Sequence, residues 1–149
     1  LFEAASKSGA ILSACNMDEV KTFASIGKNV GIAFQIKDDL LDYECNNTKI
    51  GKPKLKDFKE GKITLPLFYA LQSNAGEKDF LLSKLGKKIS KKDEKEVSKY
   101  ILSGKSLLVT KKTMQGYINL AAKNIARLKT HPSYNEMLEL LEFIQGREK

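Results

Sequence analysis

The sequence predicts an all-α fold of about six or seven helices. Apolar residues recur at three- and four-residue intervals along most of the chain, no segment alternates convincingly with a period of two, and only three of the 149 residues are prolines. With 42% hydrophobic residues, a chain of this length can bury a sizeable core as one ordinary domain. No internal repeat or shift in composition marks a domain boundary.

Two helices are expected in the first part of the chain. The apolar residues of 1–12 already fall at helical spacing. Asn16 and Glu19 have the spacing of a capping box, in which the Asn side chain accepts from a backbone amide and the Glu side chain reaches back. A helix should therefore begin at Met17, and helical spacing of apolar residues continues as far as about Tyr43.

The next segment, 44–61, predicts a basic loop. It interrupts the helical pattern with asparagines, glycines and a proline, and it carries lysines at 49, 52, 54, 56 and 59. Behind it, capping signals and apolar spacing predict helices at 62–74 with Pro66 in the first turn, 77–85, 91–103 behind Ser90 and Asp93, 106–129, and 133–145 behind Ser133 and Glu136.

Composition excludes several classes of protein. Cys15, Cys45 and the single histidine, His131, form no zinc-binding or disulfide pattern, and a reducing cytoplasmic setting is expected. No run is apolar enough for a membrane span, and the first twenty residues lack a signal-peptide layout, so stable membrane insertion is not expected. The net charge of +8 alone would suit nucleic acid, but no groove-binding motif or interleaved aromatics accompany it, so no nucleic-acid partner is expected.

The most informative segment carries three carboxylates, Asp38, Asp39 and Asp42, inside an apolar helical pattern. Asp38 and Asp42 are i,i+4 neighbours with Cβ atoms about 5–6 Å apart. Their mutual repulsion, about 3 kcal/mol at an effective dielectric near 20, would be relieved by a divalent cation. Oxygen ligands without histidine or thiolate favour Mg²⁺, which commonly shares its shell with substrate phosphates. The alternative interpretation is a solvated acidic helix face.

Two lysines follow the carboxylates, each next to a glycine. Lys52 lies in Gly51-Lys52-Pro53, and Lys62 follows Glu60-Gly61. In a loop beside the carboxylates, they could neutralise a diphosphate from the side opposite a metal ion. The alternative interpretation is a loop that merely keeps the protein soluble.

These motifs resemble those of a known family. FQIKDDLLDY and the following GKPKLKDFKEGKITLPLFYAL resemble the second aspartate-rich motif and loop of the trans-isoprenyl (polyprenyl) diphosphate synthases. LFEAASKSGA resembles the helix after the family's Lys-Thr pair, and Arg147-Glu148-Lys149 resembles its basic tail. Because family members are about twice as long, residues 1–149 are expected to be the C-terminal part of one synthase domain, a helical bundle whose N-terminal half carries the first aspartate-rich motif. Leu55 stands where the family commonly has glycine, which is expected to stiffen the loop or change its path.

The resemblance implies a prenyltransferase that uses Mg²⁺ to condense an allylic prenyl diphosphate with isopentenyl diphosphate into a longer polyprenyl diphosphate. It also implies a homodimer, and a missing N-terminal half as partner. Lys52 and Lys62 would hold the leaving diphosphate as catalytic and substrate-binding residues. The other roles it implies are direct Mg²⁺ coordination by Asp38, direct or water-mediated coordination by Asp42, orientation of the metal's ligands by Asp39, and substrate contacts from Gln35, Arg147 and Lys149.

If the chain is part of such a synthase, it is expected to be inactive by itself, because it carries one of the family's two carboxylate clusters. Two further interpretations stay open. The chain could be a complete, non-catalytic partner subunit of a heteromeric prenyl diphosphate synthase. A terpene cyclase is the other enzyme class considered, and the absence of a cyclase-type second metal motif disfavours it.

Overall fold

The structure, a computed structural model, describes residues 1–44, 55–102 and 104–146. Those ranges contain eight α-helices and no β-strand, which confirms the all-α prediction. None of the helices within them is both long and apolar enough to cross a bilayer. The helices are α1 (Phe2–Leu12), α2 (Met17–Glu44), α3 (Lys56–Lys59), α4 (Leu65–Ala70), α5 (Ala75–Lys84), α6 (Lys91–Leu102), α7 (Gly104–Ile125) and α8 (Tyr134–Gly146), with a 3₁₀ turn at Ala126–Leu128.

The chain divides into two compact units. Among the described residues, the first comprises Leu1–Lys37 and Thr113–Gly146, and the second comprises those within Asp38–Lys112. Each unit buries its own apolar residues.

The first unit has a core built by α2, α7 and α8. Its helix α2 begins as the sequence predicts, because the Asn16 amide donates to Glu19 Oε2 and the Glu19 amide donates to Asn16 Oδ1, each at 3.0 Å. This reciprocal pairing confirms the capping box. The buried core residues are Ile26, Val30, Ala33, Ile118, Ala121, Ile125, Leu128, Leu141 and Ile144.

The second unit has a core that gathers the end of α2 with α3, α4, α5 and α6. Two caps fix helix starts here: the Asp93 amide donates to Ser90 Oγ at 3.1 Å, and the Glu77 amide donates to Asn74 Oδ1 at 3.0 Å. The first confirms the predicted start of α6. The buried core residues are Tyr43, Leu55, Phe58, Leu67, Ala70, Leu81, Val97 and Ile101.

Two predictions of local structure were wrong. The segment predicted as a loop contains α3, because Leu55 and Phe58 are both fully buried and one helical turn separates them. The helix predicted over 62–74 spans only Leu65–Ala70. This helix cannot extend far in front of Pro66, because proline lacks an N–H and suits only the first turn of a helix. It cannot reach residue 74, because Asn74 caps the start of the next helix, α5.

Candidate active site

The three predicted metal ligands lie on the last two turns of α2, within the second unit. Leu40 and Leu41 between them are buried, and this burial fixes the orientation of the helix. Asp38 and Asp39 are partly exposed, whereas Asp42 is only 8% exposed. The i,i+4 relation places Asp38 and Asp42 on one face, as the sequence predicts.

Asp42 is buried with a defined partner. Its Oδ2 accepts a hydrogen bond from the backbone N–H of Asp57 at 3.2 Å. The backbone carbonyl of Asp42 also accepts from the Leu55 amide at 3.4 Å. Both bonds join the end of α2 to the segment 55–62, so the carboxylate cluster and the predicted lysine segment belong to one local structure.

Segment 55–62 is held by its apolar residues and by one tight turn. Leu55 and Phe58 are fully buried in the second unit's core. Gly61 has a φ of +78°, a left-handed conformation that costs glycine little, and it turns the chain so that the Lys62 amide donates to the Asp57 carbonyl at 2.9 Å. The backbone therefore returns Lys62 to Asp57.

The Lys62 side chain forms two ion pairs. Its Nζ lies 3.0 Å from Asp57 Oδ1 and 2.7 Å from Glu60 Oε2. The hydrogen bonds to Glu60 and Asp57, in that order of size, raise the pKa of Lys62 above its usual range. The side chain is 57% exposed, so a charged ammonium is presented to solvent close to Asp57, whose backbone amide binds Asp42.

Tyr43 provides a second connection between α2 and the segment after Lys62. Its hydroxyl and the Thr64 hydroxyl share a hydrogen bond of 2.8 Å. Burial raises the pKa of Tyr43, and the negative charges of Asp42, Asp39 and Asp57 add to that rise, while the bond to Thr64 opposes it. The phenol thus stays protonated beside a concentration of negative charge.

Carboxylate oxygens are the type of ligand that a hard divalent cation prefers. Asp38 and Asp42 offer carboxylate oxygens from one helix face, and Mg²⁺ usually takes one or two carboxylates with several waters and substrate phosphates. In the described ranges no group of three or more His, Cys, Asp or Glu side chains is placed to hold a metal ion.

Of the remaining predicted site residues, only Gln35 falls within the described part of the chain. Lys52, Arg147 and Lys149 lie outside the described residues, and Gln35 is an exposed residue of α2 in the first unit. Sequence reasoning missed Asp57, Tyr43 and Thr64. The available signals were weak: Asp57 is one acid in a lysine-rich segment, and Thr64 is a capping-type residue just before Leu65-Pro66.

Comparisons with known proteins agree on one family. The family model described as Polyprenyl synthetase matches residues 1–102. The chain is 34% identical over 129 residues to geranylgeranyl diphosphate synthase of Saccharolobus solfataricus, which covers 86% of this chain and 39% of that protein. The fold is similar to heptaprenyl diphosphate synthase from Staphylococcus aureus, with a TM-score of 0.88, 27% identity, and coverage of 99% of this chain and 46% of that one.

A second solved structure is similar to a comparable degree. Polyprenyl synthase from Caulobacter crescentus CB15, complexed with calcium and isoprenyl diphosphate, matches with a TM-score of 0.86 and 29% identity over 99% of this chain and 46% of that chain. The chain therefore spans less than half the length of each of these three proteins.

Proposed function

The chain belongs to the polyprenyl synthetase family, and we propose that it supplies one metal- and diphosphate-binding side of a prenyltransferase active site. The proposed reaction condenses an allylic prenyl diphosphate with isopentenyl diphosphate to give a longer polyprenyl diphosphate. One observation carries the proposal: the carboxylate cluster of α2 and the charged Lys62 are joined through Asp57 by two hydrogen bonds.

The chemistry of the reaction explains why these groups are needed together. The difficult step is the departure of diphosphate, whose negative charge grows as the carbon–oxygen bond breaks. Preplaced positive groups stabilise such charge without reorganising during the reaction. Lys62 meets that requirement, because its ion pairs keep it charged and hold it near the cluster. We assign it to the leaving diphosphate.

Asp38 and Asp42 are the residues that would hold Mg²⁺, with Asp39 orienting the surrounding groups. When bound, Mg²⁺ supplies further charge neutralisation to the diphosphate. The C. crescentus relative is complexed with calcium and isoprenyl diphosphate, which supports a divalent-cation site that takes diphosphates in this family. Lys52, Gln35, Arg147 and Lys149 keep the substrate-contacting roles predicted above, and the homodimer and cytoplasmic location stay predictions.

The test combines this chain with the N-terminal half that its relatives carry and measures diphosphate release with both substrates and Mg²⁺. Asp38→Ala or Lys62→Ala should lower the rate by about 10²–10³, the usual cost of removing one preorganised electrostatic group. Lys91→Ala is the control, because Lys91 is an exposed residue of α6 that belongs to neither group of site residues.

The outcomes separate the candidate functions. Absence of diphosphate release from the combined halves would rule out the prenyltransferase proposal. Unchanged activity of Asp38→Ala when this chain accompanies a complete synthase would instead favour the non-catalytic partner subunit.

A further inference from the structure

We propose that Asp57 is a positioning residue that fixes Lys62 beside the carboxylate cluster of α2. This inference rests on the proposed function, since it concerns how Lys62 is prepared for a diphosphate. Asp57 belongs to the second unit and lies on α3. Its role differs from that of the residues assigned above, because it acts on the substrate only through Lys62.

The geometry joins Asp57 to both sides of the site. Its amide N–H donates to Asp42 Oδ2 at 3.2 Å. Its carboxylate accepts from Lys62 Nζ at 3.0 Å, and its carbonyl accepts from the Lys62 amide at 2.9 Å. One residue therefore binds the cluster through its main chain and the lysine through both its side chain and its main chain.

The position of Asp57 is determined by its neighbours in sequence. Leu55 and Phe58, on either side, are fully buried, so the short helix cannot shift without exposing them. The Asp57 side chain is 24% exposed, against 44% for Glu60, the other partner of Lys62. A less exposed carboxylate is less screened by solvent and salt. Asp57 is accordingly the less solvent-screened of the two partners, whereas Glu60 makes the shorter contact with Lys62, 2.7 Å against 3.0 Å.

Ordering the Lys62 side chain before diphosphate arrives favours diphosphate binding. A free lysine side chain loses considerable rotamer entropy when it is immobilised on a ligand, and preorganisation removes that cost. An ammonium has three N–H donors. Two are directed to Asp57 and Glu60, which leaves a third that has no partner within the described part of the chain and can donate to a phosphate oxygen.

The competing interpretation is that the Asp57 carboxylate repels the diphosphate and occupies its lysine. The two interpretations predict opposite signs for Asp57→Asn, which removes the charge but keeps the shape and the amide bond to Asp42. If Asp57 positions Lys62, the variant binds diphosphate more weakly than the wild type. If the Asp57 carboxylate competes with diphosphate for Lys62, the variant binds it more tightly.

The experiment titrates the 149-residue chain with inorganic diphosphate in the presence of Mg²⁺ and follows binding by ³¹P NMR. We expect Lys62→Ala to weaken binding by about tenfold or more, the scale of losing a charge-assisted hydrogen bond. Asp57→Asn should weaken it by about three- to tenfold, because Lys62 still binds the ligand but is held less well beforehand. The double variant should bind no more weakly than Lys62→Ala alone, since a residue that acts only through Lys62 has no effect once Lys62 is gone.

The matched control is Asp93→Asn. Asp93 pairs with Lys84 at 3.1 Å in the same unit and its side chain is 22% exposed, so the variant removes a similar ion pair that involves none of the proposed site residues. Its affinity for diphosphate should not change. If Asp57 were merely structural, both variants would lower stability and leave binding unaltered.

A second readout does not depend on the ligand. Relaxation of the Lys62 ¹³Cε nucleus reports the side chain's ps–ns mobility, which should increase in Asp57→Asn and recover partly in Asp57→Glu. Unchanged mobility, tighter binding by Asp57→Asn, or additive effects in the double variant would each overturn the positioning role. The proposed function fails if the wild-type chain binds no diphosphate, or if Lys62→Ala binds diphosphate as well as the wild type does. In either case, the mobility of the Lys62 side chain still decides whether Asp57 positions Lys62.

Discussion

Lys62 is the residue in which the charge balance of the site can be measured directly. Its ion pairs to Glu60 and Asp57 raise its pKa above the ordinary value of 10.5. When folding raises the pKa of a cationic group, that group stabilises the folded state at pH values below its pKa in the unfolded chain. This stabilisation is lost as the pH rises through the pKa of the folded state. The ammonium should thus stay charged at any pH at which a prenyl diphosphate would be bound.

We predict that Lys62 does not titrate between about pH 7 and pH 10, and that Glu60→Gln moves its titration to lower pH, because the largest hydrogen-bond contribution involves Glu60. The measurement is a ¹H–¹³C NMR titration of the lysine Cε resonances. A Lys62 midpoint that Glu60→Gln leaves in place would show that the ion pair does not form in solution.

At the scale of elements, α3 depends on an unusual residue at its start. Leu55 has φ +55° and ψ +40°, the left-handed conformation that costs a side-chain-bearing residue about 1–2 kcal/mol and costs glycine little. It is also fully buried among the core residues of the second unit. Burial of a leucine side chain is worth about as much as this strain or more, which explains how leucine can occupy a left-handed position.

This balance predicts an order of stability for substitutions at Leu55. Leu55→Ala should cost about 2–5 kcal/mol, because it empties a packed position and keeps the left-handed strain. Leu55→Gly also loses the side chain but removes the strain, so it should be more stable than the alanine variant by about 1 kcal/mol. Urea unfolding measures both. A glycine variant less stable than the alanine variant would contradict the left-handed backbone.

In the first unit, α1 packs closely on α2 at Gly27. A Cβ built at Gly27 would lie 2.6 Å from the Phe2 carbonyl oxygen and 2.5 Å from Ser6 Oγ. We predict that Gly27→Ala destabilises the protein by about 1–3 kcal/mol, since the two helices must move apart. The same urea experiment applies.

Gly116→Ala on α7 is the control for this prediction. Apart from the neighbouring residues and the backbone of its own helix, no atom in the described part of the chain lies within 4 Å of a Cβ at Gly116, so the substitution should stabilise the helix by up to about 1 kcal/mol. Equal stabilities of the Gly27 and Gly116 variants would mean that α1 does not pack on α2 as described.

At the scale of the whole molecule, we predict that the isolated 149-residue chain does not turn over substrate. The proposed transition state needs charge compensation around an entire diphosphate, and the chain carries one carboxylate cluster. Prenyl transfer is measured with the purified chain alone and after addition of the relatives' N-terminal half, with activity expected only in the second case. Transfer by the isolated chain that Asp38→Ala abolishes would contradict this prediction.

The isolated chain should also self-associate, because large apolar side chains are exposed in each unit. Leu12 is 87% exposed in the first unit, and Leu108 is 69% exposed in the second. Association would remove such side chains from water, which is favourable. Sedimentation over a range of protein concentrations tests this, and a purely monomeric chain would count against it.

Features that depend on local signals can be predicted from the amino-acid sequence alone. The Asn16–Glu19 capping box, the Ser90 cap and the i,i+4 relation of Asp38 and Asp42 follow from residues a few positions apart, so spacing is enough to predict each of them. The motif around Asp38 also suffices to indicate the family, because its residues are contiguous in the chain.

The rest of the site depends on tertiary packing. The four-residue α3 is too short to carry a helical periodicity, and a leucine in the left-handed region has no sequence signature. Both exist because Leu55 and Phe58 enter a core completed by residues as distant as Val97 and Ile101. That packing brings the Asp57 amide to Asp42 and the Asp57 carboxylate to Lys62, contacts that local propensity cannot specify because they depend on burial energy from elsewhere in the chain.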